Sequence, residues 1–255
     1  MPAPVSYFAC SPAEDTDQPV PGSFFMTDNP WLRLPARPPF VLPEDEQAVD
    51  EFNERASEDH RLQIADFLPE PFVGDPASPV LLLSNNPGFS KHSEYRKQPE
   101  FMTRIRDCIT LKLSAFPFYY LAPDYHSRWW RQKLKCLLQR FGDDVVARSV
   151  CNVVFFPYVS KTFGHGHCKL PSQEFSFRLV GEAMERGAVI VLMRKGRLKQ
   201  WQNKVPVLGD YDNLILLRNP QMPAVGPKNC DAGDYDRVVA AIEQSERERR
   251  TKCCT

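Results

Sequence analysis

The chain contains one stretch, Val80-Leu-Leu-Leu-Ser-Asn-Asn-Pro-Gly-Phe89, from which its fold can be predicted. An apolar run with a β-branched start is typical of a short buried strand, and Asn-Pro and Pro-Gly end such a strand in a turn. In an open α/β sheet, ligands bind at the carboxyl ends of the strands. Two interpretations of this motif are open: Asn85 and Asn86 are rigid polar groups of a binding site, or they belong to a plain turn after a core strand.

Further short apolar segments alternate with segments of helical periodicity. The predicted strands are residues 80–83, 149–156, 188–193 and 213–217. The predicted helices are residues 43–61, 99–113, 126–141, 171–184 and 235–244, and Ser172 is expected to cap the fourth of them. This alternation predicts a three-layer α/β fold, with a mainly parallel central sheet and helices on both faces.

The composition divides the chain into three parts. Residues 1–78 are acidic and proline-rich, and residues 1–79 hold 14 of the 24 prolines. We expect an extension packed on the core, with an extended arm over about the first 22 residues and a loop over 62–79. Residues 79–245 form the predicted α/β domain, and residues 246–255 form a charged, frayed tail.

The net charge of zero conceals a segregation of charge. Residues 1–75 hold 15 acidic and 4 basic side chains, a balance of −11, whereas residues 76–255 hold 28 basic and 17 acidic ones, a balance of +11. The basic part is suited to a nucleic-acid backbone, although many solvated surfaces carry a similar imbalance. Phosphate contacts are expected from Lys161 in the loop after the second strand, and from Arg194, Lys195 and Arg197 after the third.

Composition and motifs exclude several classes of protein. The hydrophobic and charged fractions, 42% and 25%, are those of an ordinary globular protein, and no apolar run or leader predicts a membrane or secreted location, so a cytoplasmic protein is expected. The eight cysteines form no Cys-x-x-Cys pair, which indicates free thiols and neither a metal site nor a cofactor. His165-Gly-His167-Cys168 lacks a fourth metal ligand and is better interpreted as a loop near the substrate. Serine hydrolase, P-loop and dinucleotide motifs are missing from the sequence.

Three predicted strands carry polar side chains at or near their ends. Asn85 and Asn86 follow the first strand, Asn152 lies within the second, and Arg218-Asn219-Pro220-Gln221 follows the fourth. Because parallel strands end at the same edge of a sheet, these groups are expected to converge on one pocket.

These motifs, in this order, resemble those of the uracil-DNA glycosylase superfamily. Val80–Phe89 is most similar to the first motif of the mismatch-specific branch, in which an apolar residue precedes Asn-Pro-Gly. The strand that contains Asn152 resembles the family strand that carries the base-reading asparagine. Arg218-Asn-Pro-Gln221 stands where the family has its second motif. The resemblance covers about residues 79–225 and leaves residues 1–75 without a counterpart.

The resemblance implies a role for several residues. Asn86 matches the group that positions water, Asn85 the neighbour whose backbone helps to hold the base, and Asn152 the residue that reads the base edge. Asn219 stands where many members have a histidine that stabilises the leaving base. Aromatic stacking would offset the cost of flipping the base, and Phe89, Tyr95 and Phe101 are the candidates for it, although each is equally suited to the core. Phe156 is a further expected base contact. The expected DNA contacts come from Lys161, Arg194, Lys195, Arg197, Arg218 and Gln221.

The sequence also departs from the family pattern. Asn219 replaces the histidine, and Gln221 and Met222 stand where serines are common. The cysteine spacing of the branch with an iron–sulfur cluster is missing. No lysine is placed to attack the sugar, so strand-cleaving lyase chemistry is not expected.

The resemblance therefore implies a monofunctional DNA glycosylase that removes a flipped-out uracil, mismatched base or modified pyrimidine from duplex or single-stranded DNA. Bulky modified bases such as those of phage DNA are included, and they would imply antiviral defence. One alternative is a catalytically inactive module that binds DNA or a protein partner. Another is an enzyme that acts on free nucleosides.

Overall fold

The structure is a computed structural model that describes residues 28–125 and 127–253. The predicted arm over the first 22 residues lies outside these ranges. The described residues form a five-stranded sheet with the strand order β1-β3-β2-β4-β5. The strands are β1 (Phe72–Val73), β2 (Val80–Ser84), β3 (Val150–Val154), β4 (Val189–Leu192) and β5 (Leu214–Leu216).

The sheet is mixed but mostly parallel, because β2, β3, β4 and β5 run in one direction and only β1 is antiparallel to its neighbour β3. The prediction of an α/β fold with a mainly parallel sheet is confirmed. In the register of the ladder, Leu82 pairs with Asn152 on one side and with Val191 on the other. The carboxyl ends of β2, β3 and β4 therefore lie side by side at one edge.

Eight α-helices are present in the described part of the chain. They are α1 (Glu46–Arg55), α2 (Pro99–Ile109), α3 (Arg128–Lys133), α4 (Lys135–Phe141), α5 (Asp143–Ser149), α6 (Gln173–Glu185), α7 (Leu198–Gln202) and α8 (Asp234–Cys253). Short 3₁₀ turns cover Pro30–Arg33, Glu94–Lys97, Tyr119–Leu121, Lys195–Arg197 and Pro206–Asp210. Helix α2 packs against β1, α6 packs against β3 and β4, and α8 packs against β2 and β4. None of the described helices combines the length and apolar character needed to cross a membrane.

Three helix predictions need correction. The single helix expected over 126–141 is broken at Leu134 into α3 and α4, although Trp130, Leu134 and Leu137 are all buried as one apolar face requires. The tail over 246–255 is not frayed where it is described, because α8 continues to Cys253 and Glu246 pairs with both Arg249 and Arg148.

The side chain of Ser172 makes no capping hydrogen bond, although Ser172 is the residue that precedes α6. Its backbone is already helical, with φ −63° and ψ −22°, so its hydroxyl is not in the extended geometry that a cap requires. Instead, the backbone nitrogen of Ser172 donates to the carboxylate of Asp45 at 3.1 Å.

The segment before residue 79 belongs to the same core as the sheet. The buried side chains of Trp31, Leu42 and Phe72 are part of one continuous apolar cluster with the strands. The loop expected over 62–79 is wrong at Phe72–Val73, since β1 pairs there with β3. Period-two alternation cannot reveal a strand of two residues.

A polar clamp ties this segment to the end of β3. The hydroxyl of Tyr158 donates to the buried carboxylate of Asp45 at 2.7 Å and accepts from the backbone nitrogen of Leu42 at 3.0 Å. Burial raises the pKa of Asp45 above its usual value, partly offset by its hydrogen bonds to Ser172 and Tyr158. The clamp holds the start of α1 against the chain that follows β3.

Candidate functional site at the carboxyl edge of the sheet

A cavity of about 770 Å³ opens at the carboxyl ends of β2, β3 and β4. Its floor is one face of the sheet, because paired residues on neighbouring strands project to the same side. The floor residues are Val73, Ser84, Asn152, Val154 and Met193. This is the location at which ligands bind in open α/β sheets.

The turn Asn85–Gly88 forms one wall of this cavity. Beyond the end of β2 it continues to run beside the chain that follows β3. The backbone oxygen of Asn85 accepts from the nitrogen of Phe156 at 2.8 Å, and that of Pro87 accepts from Ser160 at 3.3 Å. These bonds hold the turn in place at both of its ends, so its position in the wall of the cavity is fixed by the chain that follows β3.

The side chain of Asn86 is oriented by Ser160. Its amide nitrogen donates to the hydroxyl of Ser160 at 2.9 Å and lies 3.4 Å from the backbone oxygen of the same residue. Among the described residues, no hydrogen bond engages the amide oxygen Oδ1 of Asn86. This oxygen is therefore available to accept a hydrogen bond from water or a ligand.

Asn152 has an unpaired polar atom in the floor of the cavity. Its side chain is only 3% exposed, and its Oδ1 has no hydrogen-bond partner within the described chain. A buried carbonyl oxygen without a partner costs about 1–3 kcal/mol. Asn152 is also one of the residues that line the cavity, so its amide group lies beside the space that a ligand would occupy.

A buried ion pair that the sequence did not reveal lines the cavity opposite these amides. Arg96 and Glu70 are bonded side chain to side chain, and both are nearly inaccessible to solvent. The hydroxyls of Tyr119 and Tyr120 each donate to the Glu70 carboxylate at 2.8 Å. Burial, together with the Glu70 charge, raises the pKa of both tyrosines well above the ordinary value.

Arg96 also connects this ion pair to the Asn-Pro-Gly turn. Its Nη1 donates to the backbone oxygen of Gly88 at 3.0 Å. Burial alone would lower the pKa of Arg96, but the Glu70 carboxylate outweighs it, so the pKa is raised and the guanidinium stays charged. Glu70 lies in a proline-flanked loop and Arg96 in the 3₁₀ turn Glu94–Lys97, and no periodic pattern in either segment predicts that these charges are buried.

Two of the expected stacking residues line the cavity and two do not. Phe89 and Tyr95 are half-buried lining residues, the former packed against Phe67 with ring centroids 5.6 Å apart. Phe101 is buried in the aromatic cluster behind Tyr95. The prediction for Phe156 needs correction: its ring is fully buried and packs against the ring of His165 at 4.0 Å, outside the lining of the cavity.

The second motif does not present Asn219 to the cavity. Its amide oxygen accepts from the backbone nitrogens of Gln221 and Met222 at 3.0 and 3.2 Å, so it stabilises its own loop, as short polar side chains in turns commonly do. The side chain is exposed and is not among the lining residues, whereas Pro220 and Pro223 are. The expected convergence of three asparagine sites is thus reduced to two.

The remaining residues of that motif are also exposed. Arg218 pairs with Asp231 at 2.8 Å, and Gln221 lies on the surface. Both are outside the lining of the cavity.

Three of the four expected phosphate-contact residues lie at the mouth of the cavity. Lys161, Arg194 and Arg197 are lining residues, whereas Lys195 is exposed beside them. Lys161 is bonded to Asp59 at 2.7 Å, which raises the pKa of the lysine. Arg194 donates to the backbone oxygen of Pro220 at 2.6 Å and so ties the end of β4 to the loop after β5.

The structure also brings aromatic side chains to the mouth of the cavity that the sequence did not single out. Trp129 is a lining residue and is 45% exposed. Phe163, in the loop after β3, is also a lining residue. Trp130, the next residue in the sequence, is buried.

The described residues contain no group of three or more histidine, cysteine or acidic side chains suited to a metal ion. His165 is fully buried with both ring nitrogens unpartnered, and burial lowers its pKa to about 3. The cysteines whose side chains are described are free thiols. Comparisons of this chain with protein-family models, with curated proteins and with solved structures give no match.

Proposed function

We propose that this protein is a monofunctional DNA glycosylase that hydrolyses the bond between deoxyribose and a flipped-out pyrimidine. The observation that carries the proposal is that Asn86 and Asn152 both line one cavity, and that the amide oxygen of each has no hydrogen-bond partner among the described residues. The resemblance of the two strand ends to uracil-DNA glycosylases assigns these same residues to water and to the base.

The chemistry requires little more than positioning. Cleavage of an N-glycosidic bond generates a sugar with oxocarbenium character and a base that leaves as an anion. The protein must exclude bulk water, hold one water at the sugar and place donors where charge develops on the base. Asn86 orients the water through Oδ1 but cannot take its proton, so the rate depends strongly on stabilisation of the leaving base.

Asn152 supports recognition of a pyrimidine. A side-chain amide offers one acceptor and two donors, which together match the donor and acceptor edge of uracil and related bases. The base must first leave the helical stack, at a cost of a few kcal/mol. Phe89 and Tyr95, which line the cavity, offer aromatic surface that offsets part of this cost.

The size of the cavity favours a modified base. About 770 Å³ falls within the range of about 300–1,000 Å³ that is usual for drug-sized ligands, and a bare pyrimidine ring is much smaller than such a ligand. The cavity therefore has room for a pyrimidine with a bulky substituent, such as those of phage DNA, and such a substrate would place the protein in antiviral defence.

The second candidate function is a DNA-binding module without catalysis. It is favoured by the state of Asn219, whose amide oxygen is engaged within its own loop and is not directed to a leaving base. Such a module keeps the basic rim of the cavity and its base-reading asparagine.

A substrate panel tests the proposal. Oligonucleotides that carry uracil, mismatched bases or modified pyrimidines are incubated with the wild-type protein, with Asn86→Ala and with Asn203→Ala, and abasic sites are detected by alkaline cleavage. Asn203 is an exposed asparagine outside the cavity and serves as the matched control. We expect product with the wild type and with Asn203→Ala, and a loss of at least 100-fold with Asn86→Ala.

The results separate the candidates. Retained binding to DNA with no abasic product on any substrate would favour the inactive module. Activity that survives Asn86→Ala would show that another group positions the water. Turnover of free nucleosides without salt-sensitive DNA binding would indicate a nucleoside enzyme.

A further inference from the structure

Two aromatic side chains at the mouth of the cavity are each accompanied by a cation. The ammonium of Lys133 lies 5.4 Å from the ring centroid of Trp129, and the guanidinium of Arg197 lies 4.9 Å from that of Phe163. Trp129 belongs to α3, and Phe163 to the loop after β3, so different elements supply the two pairs. Both aromatic residues line the cavity that holds Asn86.

Trp129 is exposed but held in a fixed position. The hydroxyl of Ser127 accepts from the backbone nitrogen of Trp130 and so caps the start of α3. The rings of Trp129 and Trp130 meet edge to face at 4.5 Å, and Trp130 is itself buried against Phe118 at 4.9 Å. Because Trp129 packs on the buried Trp130 and is still 45% exposed, its ring is a preformed surface for a flat ligand.

Phe163 is supported in a similar way. Its ring meets the ring of the buried His165 edge to face at 4.6 Å, and Arg197 covers part of it. Arg194 and Lys161 complete a rim in which cations alternate with aromatic rings. Stacking surfaces within a positively charged groove are the arrangement by which proteins bind single-stranded nucleic acid.

We propose that Trp129 and Phe163 stack the nucleobases on either side of the flipped base, and that the preferred substrate is single-stranded DNA. This inference rests on the proposed function, because it assumes that the DNA strand crosses this cavity. In a duplex the flanking bases are paired and stacked on one another, so they cannot use two aromatic surfaces on separate walls. An unpaired strand can use both without further unstacking, while the cations of the rim contact its phosphates.

Intrinsic fluorescence tests the proposal without any need for catalysis. All four tryptophans are described, and Trp129 is the only exposed one, since Trp31, Trp130 and Trp201 are at most 8% exposed. An oligothymidine of about 10 nucleotides is titrated into the wild-type protein and into Trp129→Phe. We expect saturable quenching and reduced access of acrylamide to the emitting ring in the wild type, and neither change in Trp129→Phe.

Dissociation constants from fluorescence anisotropy measure how much the stacking of each base contributes to the binding affinity. Loss of one stacked base typically weakens binding roughly 5- to 150-fold, and we expect this loss for Trp129→Ala and for Phe163→Ala with the single strand. Val207→Ala, which removes another exposed apolar side chain outside the cavity, is the matched control and should bind as the wild type does. A duplex of the same sequence should bind more weakly than the single strand and be insensitive to Trp129→Ala.

Tight binding of the single strand without quenching, equal affinity of wild type and Trp129→Ala, or a preference for the duplex would each overturn the proposal. Failure of the proposed function is a different result. Quenching and stacking losses without any base excision would refute the glycosylase and leave the single-strand site in place. Excision from a duplex, without quenching of Trp129 and without loss of affinity in Trp129→Ala, would support the glycosylase and refute the single-strand site.

Discussion

The amide nitrogen of Asn86 donates to the hydroxyl of Ser160 at 2.9 Å, and this bond is the shortest of three that orient the amide, the others being to the backbone oxygens of Pro87 at 3.2 Å and Ser160 at 3.4 Å. The hydroxyl of Ser160 in turn donates to the backbone oxygen of Thr162 at 3.1 Å, so its own orientation is set by the loop after β3. Two segments that are 74 residues apart in sequence thus cooperate to present one oxygen atom.

Ser160→Ala is expected to lower the rate of base excision by about 10-fold with little effect on DNA binding, because the amide of Asn86 would lose a neutral hydrogen bond of about 0.5–1.5 kcal/mol that orients it. Single-turnover kinetics and anisotropy measure the two effects separately. Ser114→Ala, at an exposed serine outside the cavity, is the control. An unchanged rate would mean that Ser160 does not orient Asn86.

Asn152→Asp is expected to change the base preference. An ionised carboxylate only accepts hydrogen bonds, so it no longer matches the carbonyl oxygen O4 of uracil but can accept from the exocyclic amine of cytosine. Excision of uracil-type bases should fall by roughly 10- to 100-fold, as for an unsatisfied buried polar group. Competition between uracil and cytosine substrates measures the ratio, and an unchanged ratio would contradict the base-reading role.

Glu70→Gln is expected to destabilise the fold by about 3–5 kcal/mol, because it leaves the buried guanidinium of Arg96 without its counter-ion. Tyr119→Phe removes one hydroxyl from the same carboxylate and should cost about 1.5–3 kcal/mol, the range for a hydrogen bond to a charged group. Urea unfolding at neutral pH compares the two variants. If Glu70→Gln costs no more than Tyr119→Phe, the ion pair does not stabilise the cavity wall.

His165 is expected to make the fold sensitive to acid. Burial lowers its pKa to about 3 in the folded state, below the unfolded value of about 6.5, so the stabilisation is present above pH 6.5 and is lost as the pH falls toward 3. At 1.4 kcal/mol per pH unit, the wild type should lose about 2 kcal/mol between pH 6.5 and 5 through this residue. The free energies of unfolding of the wild type and of His165→Leu are measured with urea at pH 6.5 and at pH 5. The variant should lose about 2 kcal/mol less than the wild type between these pH values, and an equal loss in both proteins would show that His165 is not the titrating group.

Arg197→Ala is expected to reduce the salt dependence of DNA binding. A neutralised phosphate on a single strand contributes about 0.7 to the slope of log K against log salt concentration, and the variant should lose about that amount. Arg140→Ala is the control, because Arg140 is exposed, pairs with Glu243 and lies outside the cavity. A slope that falls equally in both variants would indicate a general charge effect and not a contact at the cavity.

Much of the fold could be predicted from the chain itself. The runs that became β2, β3, β4 and β5 are mainly apolar, as is typical of strands covered by helices, and the helices between them imply parallel pairing. The asparagines of the Val80–Phe89 stretch and Asn152 could be predicted to lie at the cavity for a related reason. They are at or near the ends of apolar runs, and the ends of parallel strands meet at one edge of the sheet.

The tertiary structure alone decided the rest. Asn219 follows a strand as Asn86 does, but its amide oxygen accepts hydrogen bonds from backbone nitrogens of its own loop. Phe156 lies two residues beyond β3, where its ring faces the core. Glu70, Arg96 and Tyr120 come from separate loops and meet only once the chain is folded. Local sequence determines where a strand begins and ends. Which side chains line the same cavity wall depends on contacts between segments that are distant in sequence, and such contacts leave no local pattern.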